Sequence, residues 1–156
     1  MLDGPNDADP INSFALVSYI PGHLGEFLNR MRQNLVIGCM AYPHVTVLPP
    51  RPISVDPVIA AEQVRSQVEL FPAFTVEILS VEIFPVTNVV YAEIGAGRSE
   101  LLEMHKELNT GHLRFIEPFE YHPHVTLAQG VDLEQLREVY EEAQGEWRDY
   151  HYERSF

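Results

Sequence analysis

Two copies of one tetrapeptide carry the residues of this chain that are best suited to chemistry. Both copies read Pro-His-Val-Thr, and they occupy residues 43–46 and 123–126 of the 156-residue sequence. An apolar pair follows each copy, as expected for a short buried strand. A single His-x-Thr triplet is a weak signal because such triplets arise by chance, whereas two identical tetrapeptides with the same apolar continuation are a strong one.

The spacing within each copy places the histidine and the threonine on one face of a strand, because residues i and i+2 project together. Two such strands side by side would gather two imidazoles, His44 and His124, and two hydroxyls, Thr46 and Thr126, around one small cavity. Histidine titrates near neutral pH, so one imidazole can take a proton from a nucleophile while the other gives one to a leaving oxygen. The hydroxyls can donate hydrogen bonds to the non-bridging oxygens of a phosphate. This set of groups suits phosphodiester chemistry and requires no metal.

The elements around the two copies repeat in the same order, in halves of about 13–84 and 88–156. Hydrophobic periodicity and turn residues predict, in the first half, a strand at 13–20, a helix at 24–35, a strand at 44–48 ended by the prolines of 49–52, a helix at 57–71 capped by Asp56, and a strand at 74–84. The second half is predicted to hold a strand at 89–94, a helix from 99 to about 108, a strand at 125–128, a helix at 132–145 and a last strand at 147–156.

Each half therefore reads strand, helix, strand, helix, strand. We expect a duplicated, two-lobed α+β fold in a single domain over residues 1–156, with the active cleft between the lobes. Residues 1–12 are rich in Asp, Pro and Gly and are expected to form a flexible acidic tail.

The paired motifs resemble those of the 2H phosphoesterase superfamily, which includes bacterial 2′-5′ RNA ligases and 2′,3′-cyclic nucleotide phosphodiesterases. That family carries two His-x-Thr/Ser-x motifs, one in each lobe of a duplicated α+β fold, with x often apolar. The matching motifs here are His44-Val45-Thr46-Val47 and His124-Val125-Thr126-Leu127. The resemblance extends over residues 13 to about 145, and its second motif includes the lead-in at 118–123.

The resemblance implies that both histidines and both threonines line a phosphate site that acts without a cofactor. It also implies that His124 is the base that activates water and that His44 is the acid for the leaving ribose oxygen, with the roles exchanged in the ligation direction. The implied activity is hydrolysis of 2′,3′-cyclic phosphates, or cleavage or joining of 2′-5′ linkages, on a small nucleotide or an RNA terminus.

Several neighbouring residues are possible substrate contacts. Tyr42 and Tyr121 flank the motifs and could stack on a nucleobase, although aromatic residues at the edge of a lobe explain them equally well. Arg51, after the first motif, and Arg114, before the second, could meet a phosphate or could be solvated. The sequence leaves these alternatives open.

A metal site is the alternative chemistry at the second motif. His122 and His124 have the His-x-His spacing found in some metal sites, and Glu120 would share their face on a longer strand. Pro123 distorts the strand between the histidines, and the first half has no matching ligands, so we expect no metal. The glycines of 95–99 lack the spacing and the lysine of a triphosphate-binding loop and predict a turn.

Composition limits the partners of the chain. Ten Lys and Arg against 23 Asp and Glu give a net charge of −13, which argues against a protein that coats long nucleic acids but not against a small anionic substrate. Cys39 is the one cysteine, so an internal disulfide is excluded.

No apolar run reaches the roughly 18 residues of a membrane span, and residues 1–12 do not resemble a signal peptide. We therefore expect a soluble, cytoplasmic protein without a membrane partner. The alternative function is a non-catalytic module that binds a nucleotide or an RNA end in the same cleft. Nothing in the sequence indicates an oligomeric state.

Overall fold

One antiparallel sheet forms the centre of the fold in this computed structural model, which describes residues 12–156. Its five strands, in the order β1-β2-β5-β4-β3, are β1 (Ser13–Tyr19), β2 (His44–Pro52), β3 (Ile78–Phe84), β4 (Val89–Ile94) and β5 (His124–Ala128). The helices of the described residues are α1 (Gly22–Leu35), α2 (Pro57–Val68), α3 (Arg98–Leu108) and α4 (Leu136–Asp149), with one 3₁₀ turn at Gly111–Leu113. The α+β class is therefore confirmed. Residues 1–11 of the expected tail lie outside the described residues.

The strands that carry the two tetrapeptides are neighbours in the middle of this sheet. β2 pairs with β5 in the antiparallel direction, and Val45 lies opposite Val125. Both valines are almost fully buried and belong to the main hydrophobic core. Helix α1 packs against β5, α4 packs against β3 and β4, and α3 packs against β2. The valines thus anchor the two motif strands in the core, as their alternation predicts.

The predicted duplication is not evident in this architecture. The strands of both halves join one continuous sheet, and the first half alone completes the order strand, helix, strand, helix, strand. The last strand predicted at 147–156 is wrong, because α4 continues to Asp149 and residues 154–156 form only an isolated bridge, Glu77 to Ser155.

The physical reason is the burial of two aromatic residues at the end of α4. Trp147 and Tyr150 are each 5% exposed, their rings stack 5.6 Å apart, and both lie against Phe27 of α1. Trp147 Nε1 also donates a hydrogen bond to the Leu79 carbonyl oxygen at 3.1 Å. A strand at this point would lose the helical spacing that brings these aromatic rings to the core.

The prolines after the first motif do not end β2, which is a second difference from prediction. The strand runs on to Pro52, and its extension pairs with β1 through Phe14–Arg51 and Ser13–Pro52. Its other edge pairs with β5 only near Val45. Proline lacks an N–H donor, and it is tolerated where one edge of a strand needs no ladder bond.

Helix α2 begins as predicted, because the Asp56 side chain accepts a hydrogen bond from the Val58 N–H at 2.8 Å. It ends at Val68, three residues before the predicted end. No helix within residues 12–156 combines the length and the apolar character needed to cross a bilayer.

Candidate active site

The two tetrapeptides form one cluster of polar side chains at the centre of the sheet. Because β2 and β5 run antiparallel about the Val45–Val125 pair, each histidine lies across from the threonine of the other motif. The two copies have the same burial pattern, with valines buried and histidines and threonines half-buried. The antiparallel register therefore brings together the four residues predicted from the sequence, His44, Thr46, His124 and Thr126.

Both histidines are held by the same local hydrogen bond. His44 Nδ1 lies 2.7 Å from the Tyr42 carbonyl oxygen, and His124 Nδ1 lies 2.6 Å from the His122 carbonyl oxygen. A carbonyl oxygen only accepts, so Nδ1 carries the proton and donates it in each ring. The neutral imidazole then presents an unprotonated Nε2, which is the form required of a base, and protonation of Nε2 gives the form required of an acid.

His124 lies in an aromatic environment that favours its neutral form. The rings of Phe84 and Tyr91 meet it edge-on, at centroid distances of 4.9 and 5.5 Å. Burial lowers the pKa of His124 below the usual 6.5, and the nearby His122 and His44 rings act in the same direction. The carbonyl bond from His122 and the carboxylate of Glu93, which lies opposite His124 on β4, oppose this pKa shift. A histidine with a lowered pKa is neutral near pH 7 and can accept a proton there.

A cleft of about 610 Å³ opens beside these groups. Thr46, His124 and Thr126 line it, together with Tyr121 and His122. His44 and Tyr42 do not line this cleft. The His44 ring instead lies on the β1 side of the cluster, edge-on to Tyr19 at 6.0 Å. The cleft is thus adjacent to His124, whereas His44 lies outside its lining.

His122 is bound to a carboxylate on the neighbouring strand. Its Nε2 lies 3.0 Å from Glu93 Oε2, and Arg98 Nη1 lies 3.1 Å from the other oxygen of the same carboxylate. Within the part of the chain that the structure describes, no group of three His, Cys, Asp or Glu side chains is arranged to hold a metal ion. The third ligand that a site on His122 and His124 would need is therefore not found there, and Glu120 is exposed.

Arg51 belongs to a buried polar network beneath the cleft. Its guanidinium donates to the Asn109 side chain at 2.7 Å, to the Leu113 carbonyl oxygen at 2.8 Å, and to the carboxylate of Glu117. The same carboxylate binds His105 Nε2 at 3.1 Å. Arg51 is only 2% exposed and does not line the cleft. These contacts favour a structural role for Arg51 over the phosphate contact considered from the sequence.

Tyr121 links this network to the first motif. Its ring stacks on His105 at 3.9 Å, and its hydroxyl donates to the Thr46 carbonyl oxygen at 2.9 Å. Burial, and next the Glu117 charge, raise the pKa of Tyr121, so the hydroxyl keeps its proton and remains a donor. Tyr121 therefore contacts both the cleft and the strand that carries Thr46. Arg114 is exposed and does not line the cleft.

Sequence reasoning did not identify the residues that surround His124, namely Phe84, Tyr91 and Glu93. Tyr91 and Glu93 alternate on the predicted strand at 89–94, and this alternation places both on the face of β4 that meets His124 and Thr126. These residues could not be assigned to the site from the sequence, because the sequence does not show that β4 pairs with β5. Glu117 was missed because it lies in an irregular segment with no periodic pattern.

Two comparisons relate this chain to known proteins. A family model described as the 2'-5' RNA ligase superfamily matches residues 23–153. A protein of Halalkalibacterium halodurans named "Putative phosphoesterase BH1439" is 28% identical over an alignment of 103 residues, and the match covers 60% of each chain. The chain therefore spans about 60% of the length of this curated relative. Because the family match includes both His-Val-Thr motifs and most of the sheet, the chain belongs to the 2'-5' RNA ligase superfamily.

Proposed function

We propose that this protein is a metal-independent phosphoesterase that uses His44 and His124 as an acid–base pair. Its reaction would be hydrolysis of a 2′,3′-cyclic phosphate, or cleavage or joining of a 2′-5′ phosphodiester linkage, on a nucleotide or an RNA end. The observation that carries the proposal is the pair of imidazoles on adjacent central strands, each with Nδ1 committed to a backbone carbonyl oxygen. Membership of the 2'-5' RNA ligase superfamily supports the same class of reaction.

In the hydrolytic direction, a water molecule attacks the phosphorus atom while His124 Nε2 takes a proton from it. The bond from phosphorus to one ribose oxygen breaks, and His44 Nε2 gives its proton to that oxygen. The two histidines thus exchange protonation states in one turnover, and no external acid or base is consumed in the step. The Thr46 and Thr126 hydroxyls would stabilise the charge that develops on the non-bridging oxygens.

The assignment of His124 as the base is supported by its environment. Burial against Phe84 and Tyr91 lowers its pKa, which keeps it unprotonated near neutral pH. His44 lies outside the cleft lining and faces Tyr19, so it is the better placed of the two to exchange its proton with solvent between turnovers. In the joining direction the two roles are exchanged.

The test is an activity assay on a panel of 2′,3′-cyclic mononucleotides, run with and without EDTA. The wild-type protein is compared with His44→Ala and His124→Ala, and His151→Ala is the matched control because His151 is exposed and outside the site. We expect turnover that survives EDTA, persists in the control and is lost in both site variants. The position of the phosphate in the product identifies the leaving oxygen.

Two other outcomes would contradict the proposal. Turnover that EDTA abolishes would indicate a metal-dependent reaction, and turnover retained by both site variants would show that the histidines are not the acid and base. If the panel and 2′-5′-linked oligonucleotides are bound but never converted, the protein is a binding module. Circular dichroism of each variant confirms that lost activity is not lost folding.

A further inference from the structure

The cleft beside His124 has an apolar, aromatic lining. Phe84, Phe115, Phe119 and Tyr121 contribute rings, and prolines at positions 49, 50, 85 and 118 cover much of the remaining wall. Within residues 12–156, no lysine or arginine lines this cleft. Its lining carboxylates are Glu117 and Glu120. The site therefore differs from a basic groove that follows a nucleic-acid backbone.

Two arginines near the cleft, Arg51 and Arg98, are already engaged. Arg51 is buried behind the wall and bound to Glu117, and Arg98 is bound to Glu93. Glu117 is neutralised by this contact, whereas Glu120 is exposed and forms no salt bridge within the described residues. A phosphate that extends past the reacting group along this lining would thus meet the Glu120 carboxylate, because the exposed Arg114 does not line the cleft.

The catalytic pair itself supplies one positive charge. At each stage of the proposed cycle one histidine is protonated and the other is neutral. The pair therefore carries a charge of +1, which balances one negative charge on a substrate. A 2′,3′-cyclic phosphate carries a single negative charge, whereas an RNA end adds one for every further phosphate. On a protein with net charge −13, these additional charges are repelled.

The size and the aromatic surface of the cleft favour a ligand with a single nucleobase. Its volume of about 610 Å³ lies within the range of about 300–1,000 Å³ found for small-molecule sites. Phe119 at its rim is 69% exposed, and Val86 is 85% exposed. Exposed aromatic surface beside a phosphate site can stack on a nucleobase, because every base has an uncharged face.

We propose that this cleft selects a small, singly charged cyclic phosphodiester that carries one uncharged ring, such as a nucleoside 2′,3′-cyclic phosphate, over the polyanionic end of an RNA strand. The proposal rests on the proposed function and specifies its substrate class. Glu120 and Phe119 are its specificity residues, since one repels further phosphates and the other contacts the ring.

The experiment compares cytidine 2′,3′-cyclic phosphate with a short RNA oligonucleotide that ends in the same cyclic phosphate. We expect kcat/KM to be higher for the mononucleotide by at least about fivefold at low salt, since one close charge repulsion in water is worth about 1 kcal/mol. The ratio should shrink as salt screens the additional phosphates. A kcat/KM equal or higher for the oligonucleotide would overturn this inference alone. No turnover of either substrate would overturn this inference together with the hydrolysis of 2′,3′-cyclic phosphates in the proposed function.

Two variants test the named residues. Glu120→Gln should lower the ratio of the two kcat/KM values, while Glu138→Gln, the same charge change at an exposed site on α4, should not. Phe119→Ala should reduce the preference for cytidine 2′,3′-cyclic phosphate over glycerol 1,2-cyclic phosphate, which has the cyclic phosphate but no nucleobase. Ile116→Ala is its control, because Ile116 is 84% exposed and does not line the cleft. Unchanged ratios in Glu120→Gln and Phe119→Ala would overturn the assignment.

Discussion

The buried contact between Arg51 and Glu117 offers a quantitative test of how the site is supported. Glu117→Gln keeps the shape of the side chain and removes its charge, which leaves a guanidinium that is only 1% exposed without a counter-charge. Removing one partner of a buried ion pair costs about 3–5 kcal/mol. The hydrogen bonds from Arg51 to Asn109 and Leu113 remain in place, so we expect the lower end of this range, about 3 kcal/mol of unfolding free energy.

Urea unfolding, followed by circular dichroism, measures this loss directly. The matched control is Glu141→Gln, because Glu141 binds Arg137 on the surface of α4, where the two side chains are 60% and 87% exposed. A surface pair of this kind contributes about 0–1 kcal/mol. If Glu117→Gln costs no more than Glu141→Gln, the charge of Arg51 is not buried in solution, and Arg51 would return as a candidate phosphate contact.

The remaining predictions concern the chemistry of the site. Burial lowers the pKa of His124, so the midpoint of the acid limb in the pH profile of kcat/KM should lie below pH 6.5. A midpoint at or above pH 6.5 would contradict the assignment of His124 as the base. The same shift means that, as the pH drops from 6.5, the unfolded chain binds a proton at His124 more readily than the folded chain does. The free energy of unfolding should therefore fall from pH 6.5 down through the lower pKa of the folded state, and His124→Gln should remove this contribution. Thr46→Val and Thr126→Val should each lower kcat by about 10²-fold with little change in melting temperature, and a loss in KM alone would argue against transition-state contacts. Tyr121→Phe removes the donor to the Thr46 carbonyl oxygen and should lower kcat by roughly tenfold, about the value of one hydrogen bond of 1.4 kcal/mol, while Tyr152→Phe, at a 67% exposed position, should match the wild type.

Strand alternation was enough to predict the core of the candidate site. A histidine and a threonine two residues apart share a face, and the valine between them must face the core, so the recurrence of the tetrapeptide already indicated that Val45 and Val125 would anchor the two strands. The cap at Asp56 was equally readable, because a carboxylate before a proline-initiated helix accepts a local backbone N–H.

Contacts between distant residues could not be predicted in this way. The partners of Arg51 lie between residues 109 and 117, and no local pattern relates them to position 51. β2 can continue through its prolines because its edge towards β5 is unpaired beyond Val45. Which edge of a strand is unpaired depends on the arrangement of the whole sheet, so the local sequence does not show it. Likewise, the local sequence around Trp147 is compatible with a strand or a helix. The helix forms because it allows Trp147 to pack against the distant Phe27.

The cooperation of the two histidines is the central claim, and a double-mutant cycle on kcat tests it most directly. The cycle compares His44→Ala, His124→Ala and the double variant with the wild type under identical conditions. Groups that act as one unit are strongly non-additive, so we predict that each single variant loses nearly all turnover and that the double variant is about as slow as the slower single one. Near wild-type turnover in either single variant, or two losses that multiply in the double variant, would contradict a shared acid–base step.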